Sequence, residues 1–322
     1  MNTLTSLLLV LSLYQFTNGQ SIEGVVKDAQ TNEPICFATV YFNGTFVGTS
    51  SDKSGHFKLN KPNNSMPLTI SAIGYYSSQQ MILADAKALV VKLRPKTYAL
   101  ADATVKAESL ERKRRRYLRL FKEEFLGTTD NAALCKIINE EDITFNYHSD
   151  ADTIKAFAKK PLLIENQALG YKVNYYLDVF EYYKKEASTF FAGNLKFEDD
   201  LSNNEDERNV YQSRRQACYE GSRMHFFRIL WSDELEASGF KIRNADYDIL
   251  TVAEIIEIDK QHNKFLNYPG KLLIAYHNSR SLIEFIEAPV FFDHSGFFNQ
   301  GIKWNGKMGL QRVADWLPYE YE

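Results

Sequence analysis

Apolar and polar positions alternate with a period of two through residues 21–95. Cys36, Ala38, Val40 and Phe42 share one parity, and Phe57 with Leu59, then Leu68, Ile70 and Ala72, then Leu89, Val91 and Leu93 repeat it. Alternation of this kind puts one set of side chains on one face of a strand. It predicts that the Cys36 thiol is buried beside Ala38 and Val40. Turn residues separate the runs. Asp28–Pro34 is polar, and Asp52-Lys53-Ser54-Gly55 predicts a hairpin turn, because Asp accepts bonds from its own backbone and Gly takes positive φ without a steric penalty. Short strands at this spacing predict an antiparallel β-sandwich.

Beyond Pro95 the period changes. Leu110, Arg114, Tyr117, Leu118, Phe121 and Phe125 recur at helical spacing, which predicts a helix from about Ala107 to Leu126, ended by Gly127. Thr128-Thr129-Asp130 is expected to cap a short helix over residues 131–138. Alternation then returns in Ile143, Phe145 and Tyr147, in Ile154, Ala156 and Ala158, and in Tyr171, Val173, Tyr175, Leu177 and Val179, with Tyr176, Asp178 and Phe180 on the opposite face. Pro161–Asn166 reads as a corner between strands and Leu201–Arg208 as an acidic loop. Helices are expected over 209–220 and 223–231, the second capped by Ser222, with a further short helix closed by Gly239. The tail predicts strands at 271–277, 281–286, 290–292 and 298–304, and a last helical turn over Val313–Pro318. The sum is an α+β domain with a largely antiparallel sheet on which helices 107–138 and 209–238 pack.

The strand-rich stretch also carries a pattern of identities in order: Gly24-x-Val26-x-Asp28, Thr31-x-x-Pro34, Ala38-x-Val40, Gly48-Thr49-x-x-Asp52-x-x-Gly55-x-Phe57-x-Leu59 and Gly74-Tyr75. Together they resemble the carboxypeptidase regulatory-like domain. The resemblance implies a small transthyretin-like β-sandwich over residues 20–95, of a kind placed at the N-termini of many secreted and outer-membrane proteins of Gram-negative bacteria. It implies no catalytic residues. Tyr98–Lys106 resembles the short strand that follows this domain in TonB-dependent receptors, but the chain beyond it is too short for a receptor barrel. Tyr219–Leu230 resembles a segment of other secreted bacterial proteins that carry this sandwich, an uncharacterised companion region with no assigned activity. The expected organisation is a signal peptide at 1–19, the sandwich at 20–95, a linker strand at 96–108 and an α+β domain at 109–322.

The signal peptide rests on Leu7–Tyr14, an apolar run too short to span a membrane, followed by the small polar residues Thr17-Asn18-Gly19. No later segment is long and apolar enough to be a transmembrane helix, so none is expected in the mature chain. A net charge of −3 gives no general attraction to nucleic acid. The three cysteines, Cys36, Cys135 and Cys218, match no metal spacing, and a Cys135–Cys218 disulfide remains open in an exported protein.

One charged cluster stands out. Arg112, Lys113, Arg114, Arg115 and Arg116 run together on the first predicted helix, with Arg119 and Lys122 following. Such a run fits an anionic partner, with Arg112, Lys113, Arg115, Arg116 and Arg119 as the contacts. The simpler reading, weighed ahead of it, is a solvated face pairing with Glu108, Glu111, Glu123 and Glu124 at i,i+3 and i,i+4 spacing. The aromatics of 171–180 likewise read first as half-buried sheet and second as a platform for sugar rings.

Catalytic signatures are missing from the sequence. None of the six histidines has a Glu at the His-x-x-Glu offset, and no Gly-x-Ser-x-Gly elbow or phosphate loop occurs. No catalytic residue, metal ligand or cofactor is assigned, and no carboxypeptidase activity is expected. His225, in the resembling segment, reads as a packing residue ahead of a general base. The leading reading is an exported, non-catalytic cell-envelope protein, in the periplasm, on the outer membrane or secreted, that binds a glycan, envelope component or protein partner. The alternative is a hydrolase of unrecognised type with its site in residues 109–322.

Overall fold

A computed structural model describes residues 21–62, 66–82, 88–96, 107–149, 151–201 and 204–322. The expected signal peptide and the strand at 98–106 lie outside these residues.

Among the described residues the N-terminal region forms a sandwich of seven strands: β1 (Ser21–Asp28), β2 (Thr39–Phe42), β3 (Gly48–Ser50), β4 (His56–Asn60), β5 (Leu68–Ser71), β6 (Ser78–Gln80) and β7 (Leu89–Leu93). One sheet runs β4-β1-β7 and the other β3-β2-β5-β6, with β1 and β7 parallel and all other neighbours antiparallel. Ile22, Val26, Ala38, Val40, Phe57, Leu59, Leu68, Ile70, Val91 and Leu93 close the core between the sheets. Apart from Ile22 and Val26 these belong to the alternating set expected from the sequence, while Ala72 and Leu89 of that set are only partly buried.

The motif residues have local reasons. A Cβ on Gly24 would lie 2.6 Å from the Leu89 carbonyl oxygen, so only glycine lets β7 pair this closely with β1. Asp28 accepts the backbone N–H groups of Gln30 and Thr31 at 2.6 and 2.9 Å and the Tyr75 hydroxyl at 2.9 Å. Gly55 has φ +77°, and Asp52 accepts the N–H groups of Ser54 and His56 at 2.7 and 2.9 Å. The turn forms as expected, but it passes from one sheet to the other, since β3 belongs to the second sheet and β4 to the first. Cys36 departs from expectation: it is exposed. Strand β2 begins only at Thr39, and Phe37 takes φ +56°, which breaks the alternation just before it.

The second region opens with helix α1 (Ala107–Phe125) and the single-turn α2 (Asp130–Ala133), capped by the Thr129 hydroxyl, which accepts the Ala132 N–H. Six strands follow: β8 (Cys135–Ile137), β9 (Ile143–His148), β10 (Thr153–Ala158), β11 (Leu162–Asn166), β12 (Tyr171–Tyr183) and β13 (Ser188–Asp200). They form one antiparallel sheet ordered β8-β11-β12-β10-β9, with β13 along the other edge of β12. Two expectations fail here for one reason. The helix expected over 131–138 stops after one turn, and the corner expected at 161–166 is strand β11, because β8 and β11 pair with each other through Ile137–Ile164 and Cys135–Asn166. Pairing with a neighbour distant in sequence overrides the local signal.

Strand β12 buries Tyr171, Val173, Tyr175 and Leu177, then changes face. A bulge between Leu177 and Val179 leaves Val179 half-buried and puts Phe180 into the core. Of the aromatics of this strand, Tyr171, Tyr175 and Phe180 are therefore core, Tyr182 and Tyr183 are half-buried, and Tyr176 stacks on Tyr41 of the sandwich with ring centroids 5.3 Å apart.

Helices α3 (Glu205–Tyr219) and α4 (Arg223–Ser232) follow. Asn204 caps α3 by accepting the Glu207 N–H at 2.9 Å, so the second half of the stretch expected as a loop, with its acidic residues Glu205, Asp206 and Glu207, is the first turn of that helix. Residues 235–239 form turns and no helix. The remaining elements are β14 (Phe240–Arg243), α5 (Val252–Ile255), β15 (Ile256–Ile258), β16 (Lys264–Leu266), β17 (Leu272–Tyr276), β18 (Ser279–Phe285), β19 (Val290–Phe292) and β20 (Ile302–Gly306). They build the sheets β14-β17-β18-β20 and β15-β16-β19, and α4 packs Phe226, Phe227 and Leu230 onto them. The fold is a β-sandwich followed by an α+β region with antiparallel sheets.

The regions meet along β13. The Gly44 N–H donates to the Leu195 carbonyl at 2.8 Å and the Phe197 N–H to the Thr45 carbonyl at 2.9 Å. Lys96 pairs at 3.2 Å with Asp178, the extra residue of the β12 bulge.

Candidate anion-binding surface

Helix α1 is amphipathic, and its apolar stripe decides how it docks. Tyr117, Phe121 and Phe125 are buried at i, i+4 and i+8. Phe121 meets Phe125 and Phe180 at ring-centroid distances of 4.9 and 4.6 Å, and Phe125 meets Tyr175 at 4.8 Å. Full burial of such rings is worth about 1.5–3 kcal/mol each, which fixes the rotation of the helix and leaves the opposite face in solvent.

That rotation sorts the basic run. Arg114 turns inward: its guanidinium donates to the Glu140 carbonyl at 2.8 Å and to the Ile143 carbonyl at 2.5 Å, bonding backbone at the start of β9. Lys113 is exposed but leans over the rings of Tyr117 and Tyr147, at 5.6 and 5.5 Å. Arg115 pairs with Glu111 at 3.1 Å, the i,i+4 contact anticipated for a solvated face. Lys122 reaches across to Glu140 at 2.7 Å, and Glu124 accepts the Thr189 hydroxyl at 2.7 Å. Arg112, Arg116 and Arg119 remain. They are exposed at i, i+4 and i+7, and among the described side chains none has a carboxylate within ion-pair distance, although the Arg116 guanidinium lies 5.3 Å over the Tyr117 ring. At 1.5 Å per residue they line up over about 10 Å of helix.

A groove flanks each side of this ridge, and Arg119 and Glu123 line both. One, of about 510 Å³, lies toward α2 and is lined by Arg115, Leu118, Lys122 and Leu126 together with Gly127–Thr129 and Ala132–Ala133. The other, of about 410 Å³, lies toward the sheet and is lined by Arg116, Tyr117, Leu120, Ile154, Tyr182 and Lys184. At its edge Asp152 accepts the Lys184 ammonium and the Tyr147 hydroxyl, both at 2.7 Å. The Lys184 bond, then the Tyr147 bond, holds the Asp152 carboxyl below its usual range, and the same carboxylate raises Lys184.

Tyr182 and Lys184 were not singled out in the sequence, and Ile154 entered only as an alternating strand residue. Tyr182 falls after the β12 bulge, where parity counted from Tyr171 no longer holds. The one local hint was the basic pair Lys184-Lys185 at the end of a strand.

The other residues considered in the sequence have structural posts. His225 packs among Tyr219, Phe240 and Tyr276, and its Nδ1 accepts the Gly221 N–H at 3.1 Å. Burial lowers its pKa. Cys135 and Cys218 are free thiols, pushed up to about 12 and about 11 by burial and then by Asp315, so neither is a ready nucleophile. Among the described residues no group of three or more His, Cys, Asp or Glu is placed to hold a metal ion, and no helix is long and apolar enough to cross a membrane.

Residues 22–105 match the family model of the CarboxypepD_reg-like domain. No curated protein matches the sequence. Among solved structures, a candidate membrane-associated protein of unknown function from Bacteroides fragilis NCTC 9343 aligns over 89% of this chain and 94% of its own, with 12% identity and a TM-score of 0.18. A 9R-lipoxygenase from Cyanothece PCC8801 aligns over 65% of this chain and 48% of its own, with 10% identity and a TM-score of 0.17. At these scores neither likeness bears on function.

Proposed function

We propose that a carboxypeptidase regulatory-like domain here accompanies a binding region, and that the protein is an exported, non-catalytic component of the cell envelope. Its ligand is a polyanionic envelope component held on the exposed face of α1. Residues 1–19 serve as the signal peptide, and export removes nucleic acid from the available partners. The observation that carries the reading is the row Arg112, Arg116 and Arg119, without carboxylate partners among the described side chains, between two grooves that Arg119 joins. Exposed guanidinium groups at this spacing offer paired donors to successive anionic groups of one chain.

The full mature chain is expected to be retained on a heparin-type column at low salt and to elute as salt screens the contacts. A triple variant, Arg112→Gln with Arg116→Gln and Arg119→Gln, should lose that retention while its stability changes by less than about 0.5 kcal/mol. Flow-through of the wild type at low salt, or equal retention of the variant, removes the reading.

A further inference from the structure

The two grooves beside α1 are not equivalent, and the difference points to the chemistry of the ligand. In the groove toward α2, Arg115 and Lys122 are already engaged by Glu111 and Glu140, and no aromatic ring lines the wall. In the groove toward the sheet, Arg116 and Arg119 keep their charge uncompensated among the described side chains, and the floor is apolar and aromatic. Tyr182 lies directly across the β10–β12 ladder from Ile154, and Leu120 of the helix faces them into the same space. Lys184, fixed by Asp152 at 2.7 Å, completes the rim.

A chain of bare phosphates needs only cations. Rings and aliphatic surface beside guanidinium groups suit a ligand with one apolar face and one anionic group. Glu123 narrows this further. A carboxylate repels a bare anion, but it accepts hydrogen bonds from hydroxyl groups. Hydroxyls, a flat C–H face and an acidic group occur together in an acidic sugar. The groove volume of about 410 Å³ suits a unit of that size.

We propose that the groove between α1 and strands β10 and β12 is a subsite for an acidic sugar unit of an anionic glycan. Tyr182 stacks on the sugar ring, Arg116 and Arg119 bind its carboxylate or sulfate, and Glu123 accepts its hydroxyls. The assignment rests on the polyanion reading of α1 and specifies it.

Calorimetric titration of the full chain with a galacturonate oligosaccharide and, separately, with linear polyphosphate tests it. The oligosaccharide should bind, and Tyr182→Leu, which keeps apolar bulk against the core, should weaken it about tenfold while leaving polyphosphate unchanged. Glu123→Gln provides a second reading on an exposed position that does not depend on the core. It should tighten polyphosphate more than the oligosaccharide, because Gln removes the charge that repels both anions but offers the sugar hydroxyls fewer acceptor oxygens. If polyphosphate binds and the oligosaccharide does not, or if Tyr182→Leu leaves both affinities unaltered, or if Glu123→Gln tightens both equally, the sugar subsite is wrong and the polyanion surface stands. If the wild type binds neither probe, the subsite and the polyanion reading fall together.

Discussion

In the sandwich, buried and turn-forming polar groups bond mostly to residues of the sandwich itself. Asp28 holds the next two turn amides, Asp52 closes its own turn, and the buried Ser51 hydroxyl donates to Ile35 at 2.8 Å and accepts the Ala38 N–H at 2.9 Å. In the α+β region the same work is done by long side chains reaching far along the sequence. Arg312 donates to the Glu124 carbonyl at 2.9 Å, Arg223 to Met308 at 2.7 Å, Arg228 to Ser295 at 2.9 Å, and Asn166 to Ala314 at 2.8 Å. Each ties an internal element to the C-terminal segment. A region satisfied locally presents its sheets and turns with little surface chemistry to spare. A region held by long-range props can leave a whole helix face unpartnered, and that is where the basic ridge of α1 lies.

The contrast can be broken at either end. The largest effect is expected at Phe121→Ala. The ring is fully buried between Phe125 and Phe180, and its loss should cost about 3–5 kcal/mol in urea unfolding. We propose that residues 20–95 fold as their own unit. On that basis Phe121→Ala should shift only one of two unfolding transitions. Gly55→Ala should shift the other, by about 1–2 kcal/mol, because φ is +77° and the new Cβ would meet the Val26 carbonyl oxygen at 2.6 Å. A single transition moved by both substitutions would show instead that the contacts along β13 bind the regions into one cooperative unit.

The smallest effect concerns acid. The Asp28 carboxyl is held below its usual range by the Thr31 and Gln30 backbone bonds and by the Tyr75 hydroxyl. A carboxylate depressed in the folded state contributes stability that is present above its unfolded pKa of about 3.9 and is lost as pH falls through the folded value. Asp28→Asn should therefore flatten the acid limb of the sandwich transition and leave that of the α+β region as it was. An unchanged acid limb would mean that the Asp28 network is not what responds to acid.

Much of the sandwich was legible in the chain alone. A period of two, glycines at positions that need positive φ or close approach, and Asp side chains that bond their own turns are all local properties, and local properties are written in consecutive residues. The buried stripe of α1 and the Ser222 cap were legible for the same reason. What the chain could not show was pairing at a distance. The capture of residues 135–137 by 162–166 turned a predicted helix end and a predicted corner into strands. The bulge at Leu177–Val179 moved Phe180 inward and brought Tyr182 beside α1. The candidate surface was divided in the same way. Composition placed seven cations on one helix, but which of them point to solvent, which lean on rings and which are engaged by Glu111, Glu140 or backbone carbonyls was decided by how three buried rings dock that helix on the sheet. Helix rotation is set by packing against residues far away in sequence, so only the tertiary structure separates Arg112, Arg116 and Arg119 from the rest.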